Sequence, residues 1–492
     1  MDSAFTPKVF ELLDSMDSGE HRSFRPWLAY RHPRDDEQVF VNLYLAAKEK
    51  RKRSRDFIWK SVWPNEAFDE RKLARHLNKL KEDAEDFFVS NTLLDSSRWR
   101  EVFLFRVHNE RNLSEAMRFS QKAFEKRAKL EDGTKAEDFI TSFLIEKEIQ
   151  NHLIKIDQKK EKRREAELLS YFLKWVIVEK LKLACMTIIT NRTQKQQISQ
   201  PEVREELNLL QEYPNWTENS LIALWYTLYL LLSSGENTNF LEAFELLKDR
   251  RTKISRDDLV NLFFLLVNHK IYLAMQPNTP SKDLYEELLP IYQWGIDHEL
   301  FYVDGYLRSR QFKNLYRLPM ILGKPKLAET YIQTLSAKLL PEEREHAISL
   351  AEAHLMFARG DFNKVVKQIG QTKIVSIHSR ISQRFLLIFS QYENSSSLQE
   401  RQRLIPSILS LRQFIHDQKN LSDAHKDFHK ARTKQIHSLI KSTSIDQLES
   451  LKHSCTLRKE FPERNWLIEK TEEKIHYIQK FGKNGKIMLN EF

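Results

Sequence analysis

The sequence predicts an all-α protein: an α/α superhelix of stacked helical hairpins, preceded by a compact helical N-terminal region. Three observations carry this. Ten glycines in 492 residues is under a third of the average usage of about 7 per cent, and glycine supplies the positive-φ positions of phosphate loops and tight hairpins. Apolar residues recur in steps of three and four, the period of a buried helix face. No segment alternates with period two, and no Asn-Gly or Asp-Gly hairpin between β-branched runs is expected.

Taken in chain order, residues 1–94 read as short helices dense in aromatics, among them Phe10, Phe24, Trp27, Phe40, Tyr44, Phe57, Trp59, Trp63, Phe68, Phe87 and Phe88. Within them, 56–90 has the outline of a helix-turn-helix element: a Phe57–Val62 helix, a turn at Pro64 and a helix from Asp69 to Phe88. Leu73, Leu77, Leu80, Ala84 and Phe87 give that helix its buried stripe, and Asp69 its N-cap. Arg71, Arg75 and Lys79 share part of its other side. Glu82, Asp83, Glu85 and Asp86 follow directly and count against phosphate contact.

Residues 95–213 read as longer helices, one spanning about 161–191, charged at its start and apolar later. Residues 214–492 read as repeated hairpins. Leu221–Leu232 is the longest apolar run, too short to cross a bilayer and better suited to a core helix. Ile377, Ile381, Phe385, Ile388 and Tyr392 mark one helical stripe. Leu404, Ile408, Leu411 and Ile415 mark the next, and Ile468, Thr471, Ile475 and Ile478 another. Short breakers at 393–397, Pro341 and 441–444 separate them.

Gly323 and Gly360 stand 37 residues apart, each between an apolar helix end and a new helix start. Leu322-Gly323-Lys-Pro-Lys-Leu327-Ala328, with Ile332, Leu335 and Pro341, and Leu355-Met-Phe357-Ala-Arg-Gly360-Asp361-Phe362-Asn-Lys-Val365 together resemble a degenerate tetratricopeptide repeat. Val365 and Tyr316 depart from its small-residue positions. The resemblance implies a helical-hairpin stack and a peptide-holding groove, with no residue-specific role. The whole chain is also similar to bacterial all-helical proteins of about this length with no assigned activity. That similarity runs through FIWKSVWP and FDERKLARHLNKLKEDAEDFF (57–64, 68–88), VEKLKLAC (178–185) and FKNLYRLPMILGKPKLAETYI (312–332).

The composition, 41% apolar and 30% charged, belongs to a folded chain. The net charge of +10 is distributed as +6 over 1–200, −8 over 201–300 and +12 over 301–492. Cys185 and Cys455 are too few and too separate for a disulfide framework. The N-terminus lacks a basic region before an apolar core, so a cytoplasmic location without membrane contact is expected.

No nucleotide loop, nucleophile elbow or metal motif stands out, so no enzyme, catalytic residue, metal or cofactor is expected. Glu343–His346 and Glu473–His476 have the Glu-x-x-His spacing of di-metal sites at a frequency chance supplies. His425 and His429 put two imidazoles on one helix side, where zinc would still need a third ligand.

Two binding readings remain. The first is a non-catalytic scaffold or adaptor holding a protein or peptide in the helical-repeat groove, with Asn314, Arg317, Lys324, Lys326, Arg359 and Lys364 as a basic lining. The second is nucleic-acid binding through 48–79. There Lys48, Lys50, Arg51, Lys52, Arg53 and Arg55 make six of eight residues cationic, Arg71, Arg75 and Lys79 follow, and Trp59 and Trp63 stand ready to stack on bases. A further mixed run, Lys159–Glu165, reads as solvated helix. No motif specifies the partner or the oligomeric state.

Overall fold

The computed structural model describes residues 7–33, 38–128, 133–156, 162–194, 198–237, 239–276, 281–371, 376–419, 421, 423–457 and 464–481. These are helical almost throughout, so the chain is all-α. It folds as two compact units, one drawn from 1–131 and 137–172, the other from 132–136 and 173–492. These limits follow packing, and differ from the 94 and 213 drawn from aromatic density and helix length. Most of the Lys159–Glu165 run lies outside the described residues and side chains.

The first unit contains α1 (Val9–Ser15), α2 (Ser18–Arg31), α3 (Val39–Lys48), α4 (Arg55–Val62), α5 (Glu70–Asp95), α6 (Ser97–Glu110), α7 (Ser114–Ala128) and α8 (Ala136–Lys155). Side-chain caps start several of them. Asp17 accepts from the Gly19 and Glu20 amides and forms a capping box with Glu20. Ser54 accepts from the Phe57 amide, and Asp69 from those of Arg71 and Lys72. The expected stripe of α5 is buried, Leu73 through Phe87, against Phe24, Leu28, Leu43, Tyr44 and Ile58. Phe24 sits edge-on to Tyr44 at 5.2 Å and 5.0 Å from Phe87. Asp83 is fully buried, where it meets His32 at 2.7 Å and Arg31 at 3.5 Å. A second cluster joins Val102, Phe105, Met117, Phe124, Ile145 and Ile149.

Helix α9 (Lys162–Gln194) belongs to the first unit up to 172 and to the second beyond it. Also in the second unit are α10 (Arg204–Glu212), α11 (Ser220–Ser234), α12 (Phe240–Arg250), α13 (Arg256–Met275) and α14 (Ser281–Asp297). The apolar run expected as a core helix is α11, with Leu221, Ile222, Leu224, Trp225, Leu228, Leu231 and Leu232 all buried. By length and composition α13 alone among the described residues could cross a membrane, yet most of its apolar window is buried inside the unit. Its buried charges are paired: Asp258 with Lys182 at 2.8 Å, and Lys270 with Glu287 and with Asn237 at 2.7 Å. Cys185 and Cys455 are buried free thiols, Cys455 pushed up to about 11 by burial.

One expectation is overturned here. Strands β1 (Tyr302–Val303) and β2 (Tyr306–Leu307) form an antiparallel hairpin around Asp304-Gly305. Their φ values of 51° and 78° are the left-handed pair a type I′ turn demands. Two-residue strands are too short to register as alternation. Leu340 N donates to Leu307 O at 3.1 Å, tying the hairpin to the segment just before Pro341.

Then come α15 (Ser309–Ile321), α16 (Pro325–Leu335), α17 (Pro341–Ala358), α18 (Phe362–Gln371), α19 (Ile377–Asn394), α20 (Leu398–Gln402), α21 (Ile405–Asp417), α22 (Asp423–Lys441), α23 (Ile445–Leu457) and α24 (Arg464–Phe481). Gly323 and Gly360 take φ values of 67° and 81° between helices, conformations a Cβ disfavours. Pro325 and Pro341 occupy first turns, where no amide donor is lost. Helix α15 packs on α16 and α17, α17 on α18 and α19, α19 on α21, α21 on α22, and α22 on α23 and α24. Ile381, Phe385, Ile388 and Tyr392 of α19 share a core with Ile408, Leu411, Ile415, Ile436 and Leu439.

Candidate functional site

Four helices of the second unit contribute to one polar face. With 3.6 residues per turn, Arg310, Lys313, Asn314 and Arg317 fall on one side of α15. By the same spacing His378, Ser382 and Phe385 share a side of α19, and His425, His429 and Arg432 a side of α22. Side-chain contacts bring these together. Lys313 Nζ donates to Ser382 Oγ at 3.0 Å, joining α15 to α19. Tyr316 of α15 hydrogen-bonds His354 Nδ1 of α17 at 3.0 Å. The rings of His378 and His425 meet edge-on at 5.8 Å, and those of Phe385 and His429 lie 6.1 Å apart. The Arg432 guanidinium covers Phe385 at 3.7 Å and donates to His429 Nδ1 at 3.1 Å.

The electrostatics follow from this crowding. Burial, then the charges of Arg317 and Lys313, hold His354 well below the ordinary imidazole range. The partial loss of solvent around His378, although it is exposed at its edge, lowers it too, followed by His425, Arg310 and Lys313. His429 is pushed down to about 3 by burial, then by Arg432, His378, His425 and Lys313. Each of these neighbours is a cation or becomes one on protonation. At neutral pH these three imidazoles are therefore uncharged, and the face takes its positive potential from Arg310, Lys313, Arg317 and Arg432.

The six residues read from the sequence as a basic lining do not form one cluster. Arg317 and Asn314 lie on the α15 side just described. Lys324 and Lys326 are exposed where α16 begins. Arg359 pairs with Glu329 at 2.6 Å and Lys364 with Asp361 at 3.0 Å, both around the Gly360 turn. Hairpin ends face solvent and carry their own acids, which periodicity alone does not reveal. The sequence reading missed Lys313, His354 and His378; their signal was the recurrence of Lys, Arg and His on matching helix sides.

His425 and His429 share a side of α22 as expected, but His429 accepts from Arg432, a neighbour that opposes a metal cation. Glu343 instead accepts from the Ser309 amide at 2.8 Å, and Glu473 pairs with Lys470 at 2.8 Å. Among the described residues no group of three His, Cys, Asp or Glu could hold a metal.

The 48–79 region uses much of its chemistry internally. Arg53 forks onto Asp14 at 2.7 and 2.8 Å, donates to Ala47 O at 2.7 Å and covers Phe10 at 4.5 Å. Lys50 also meets Asp14, at 3.2 Å, and Arg55 meets Glu70 at 3.4 Å. Lys79 pairs with Glu82 at 2.9 Å. Lys48 ends α3 near the Tyr44 ring, and Lys52 lies near Phe57. Arg71 and Arg75 are exposed on α5; the Arg51 side chain lies outside the described ones. The two tryptophans expected to stack on bases are buried, their rings 4.6 Å apart, with Trp59 Nε1 donating to Glu66 O. They are core residues because the chain after Pro64 returns over them, Phe68 edge-on to Trp59 at 5.4 Å and His76 of α5 edge-on to Trp63 at 4.9 Å.

Compared with known proteins, the chain matches no family model, no curated protein and no solved structure.

Proposed function

We propose that the chain is a non-catalytic scaffold or adaptor, which holds a protein partner on the α15–α17–α19–α22 face of a tetratricopeptide-like helical stack. The observation that carries this reading is that α15, α19 and α22 bring cationic and imidazole side chains together at one partly exposed patch, with His354 of α17 behind it on Tyr316. Helical stacks of this kind bury one face between neighbours and leave another open to an extended segment. Paired buried charges elsewhere, such as Asp258 with Lys182, have structural partners and leave little for a ligand. The 48–79 region supports a nucleic-acid reading less well, with its tryptophans buried and Arg53 engaged.

The test is tagged purification from the native cells after nuclease treatment, comparing the wild-type chain with Arg317→Glu. A stoichiometric protein that is retained by the wild type and lost from the variant supports the reading. A protein retained equally by both, or nucleic acid alone, goes against it.

A further inference from the structure

We propose that this face is an anion seat for an aspartate- or glutamate-rich peptide segment, and that binding is coupled to proton uptake by its histidines. The inference rests on the reading of the face as a partner surface and names the chemistry of the partner. Lys313 is held at 3.0 Å from Ser382, so its ammonium sits between α15 and α19. Arg310 and Arg317 flank it on α15, and His378 and His425 meet at 5.8 Å beside it. Of the acids on the same helices, Glu343 of α17 accepts from the Ser309 amide at 2.8 Å, next to Arg310, and is held there. Glu352 of α17 accepts from Gln368 of α18 at 3.1 Å, and Glu393 of α19 meets Lys470 at 3.2 Å. Asp423 and Asp427 fall on the far side of α22 from His425 and His429 by helical spacing.

A carboxylate seated here would meet Lys313 and Arg310 and would favour the imidazolium form of His378. In the free protein the imidazole of His378 sits below its ordinary range, and a bound anion raises it. Binding therefore takes up protons, and affinity grows as pH falls through the bound-state value towards the free-state one. A peptide fits better than single-stranded nucleic acid, which needs open rings for base stacking. Of the phenyl and phenol rings here, Tyr316 and Phe385 are buried and Phe428 is half-buried against His429 and Arg432.

The experiment is calorimetric titration of the full chain with a synthetic poly-glutamate peptide at about pH 8 and about pH 6, in buffers of differing ionisation heat. The expected result is an affinity about tenfold or more higher at the lower pH, with a buffer-dependent heat that reports proton uptake. Arg310→Gln, at an exposed position, should weaken binding at both values. The pair His378→Gln and His425→Gln, also exposed, should flatten the pH dependence while keeping the fold. Binding that is absent, or unaltered by all three changes, overturns the proposal. So does oligouridine binding that depends on Arg310 while the peptide fails. If the peptide fails but Arg317→Glu still loses its native protein, the anion chemistry falls and the partner surface stands. If that variant keeps its protein, the partner surface falls as well.

Discussion

Lys313 Nζ donates to Ser382 Oγ at 3.0 Å, a link between α15 and α19 spanning 69 residues of chain. It makes two helices share one surface, and it holds a cation where His354, His378 and His429 all feel its charge. Ser382→Ala removes the acceptor alone and should cost about 0.5–1.5 kcal/mol in urea denaturation. Lys313→Met should cost a similar amount. It should also raise the titration point of His378, followed by the imidazole proton resonance across the pH range. An unchanged His378 titration would separate Lys313 from the electrostatics of the face.

Lys474 is buried and donates to Leu439 O and Ile440 O at 2.9 and 3.1 Å, satisfying carbonyls in the last turn of α22. Burial, then Arg401, lowers its ammonium from 10.5 to about 8. The folded protein therefore holds fewer protons than the unfolded one between those values, and stability should rise with pH across that window. In Lys474→Met this rise should be smaller. Denaturation at about pH 8 and about pH 10, wild type against variant, measures the difference.

Two glycines should respond to alanine with opposite signs. A Cβ at Gly295 would meet Phe263 at 2.5 Å and Phe301 at 2.7 Å, so Gly295→Ala should destabilise by about 1–3 kcal/mol. At Gly370, inside α18, a Cβ meets nothing within 4 Å. Gly370→Ala should stabilise by about 0.4–1 kcal/mol through the unfolded chain. Melting curves of the two variants check both.

The Arg53–Asp14 pair gives the first unit an acid-sensitive contact. The Arg53 hydrogen bonds hold the Asp14 carboxyl down to about 2, against an ordinary 3.8, with burial opposing and Lys50 assisting. Its contribution is present above the ordinary value and is lost as pH falls from there towards 2. Asp14 is partly exposed, so solvent screening limits the pair to about 1 kcal/mol. Arg53→Met should lower stability at neutral pH and reduce the acid sensitivity, whereas Arg71→Gln should do neither. Nucleic-acid affinity measured on the same proteins would reveal any second use of the region.

What was legible in the sequence was local. Stripes such as Ile381, Phe385, Ile388 and Tyr392 name their helices because each residue's burial depends on its own turn. Asp69 as a cap, Gly323 and Gly360 as turns, and the long helix α9 follow from chemistry within a few residues. The face was not legible, because Lys313, His354, His378 and His425 come from four helices and periodicity fixes a side without saying what meets it. Arg53 looked like surface charge until Asp14, 39 residues earlier, supplied its partner. Trp59 and Trp63 looked available until Phe68 and the α5 residues Lys72 and His76 packed against them.

The most direct measurement is photo-crosslinking in the native cells, with a photoreactive residue in place of Asn314 on the proposed face and, separately, of Arg412, exposed on α21. The expected result is one protein adduct from position 314 and none from 412. An adduct from 412 with none from 314, or silence from both, would contradict the assignment of that face as the partner surface.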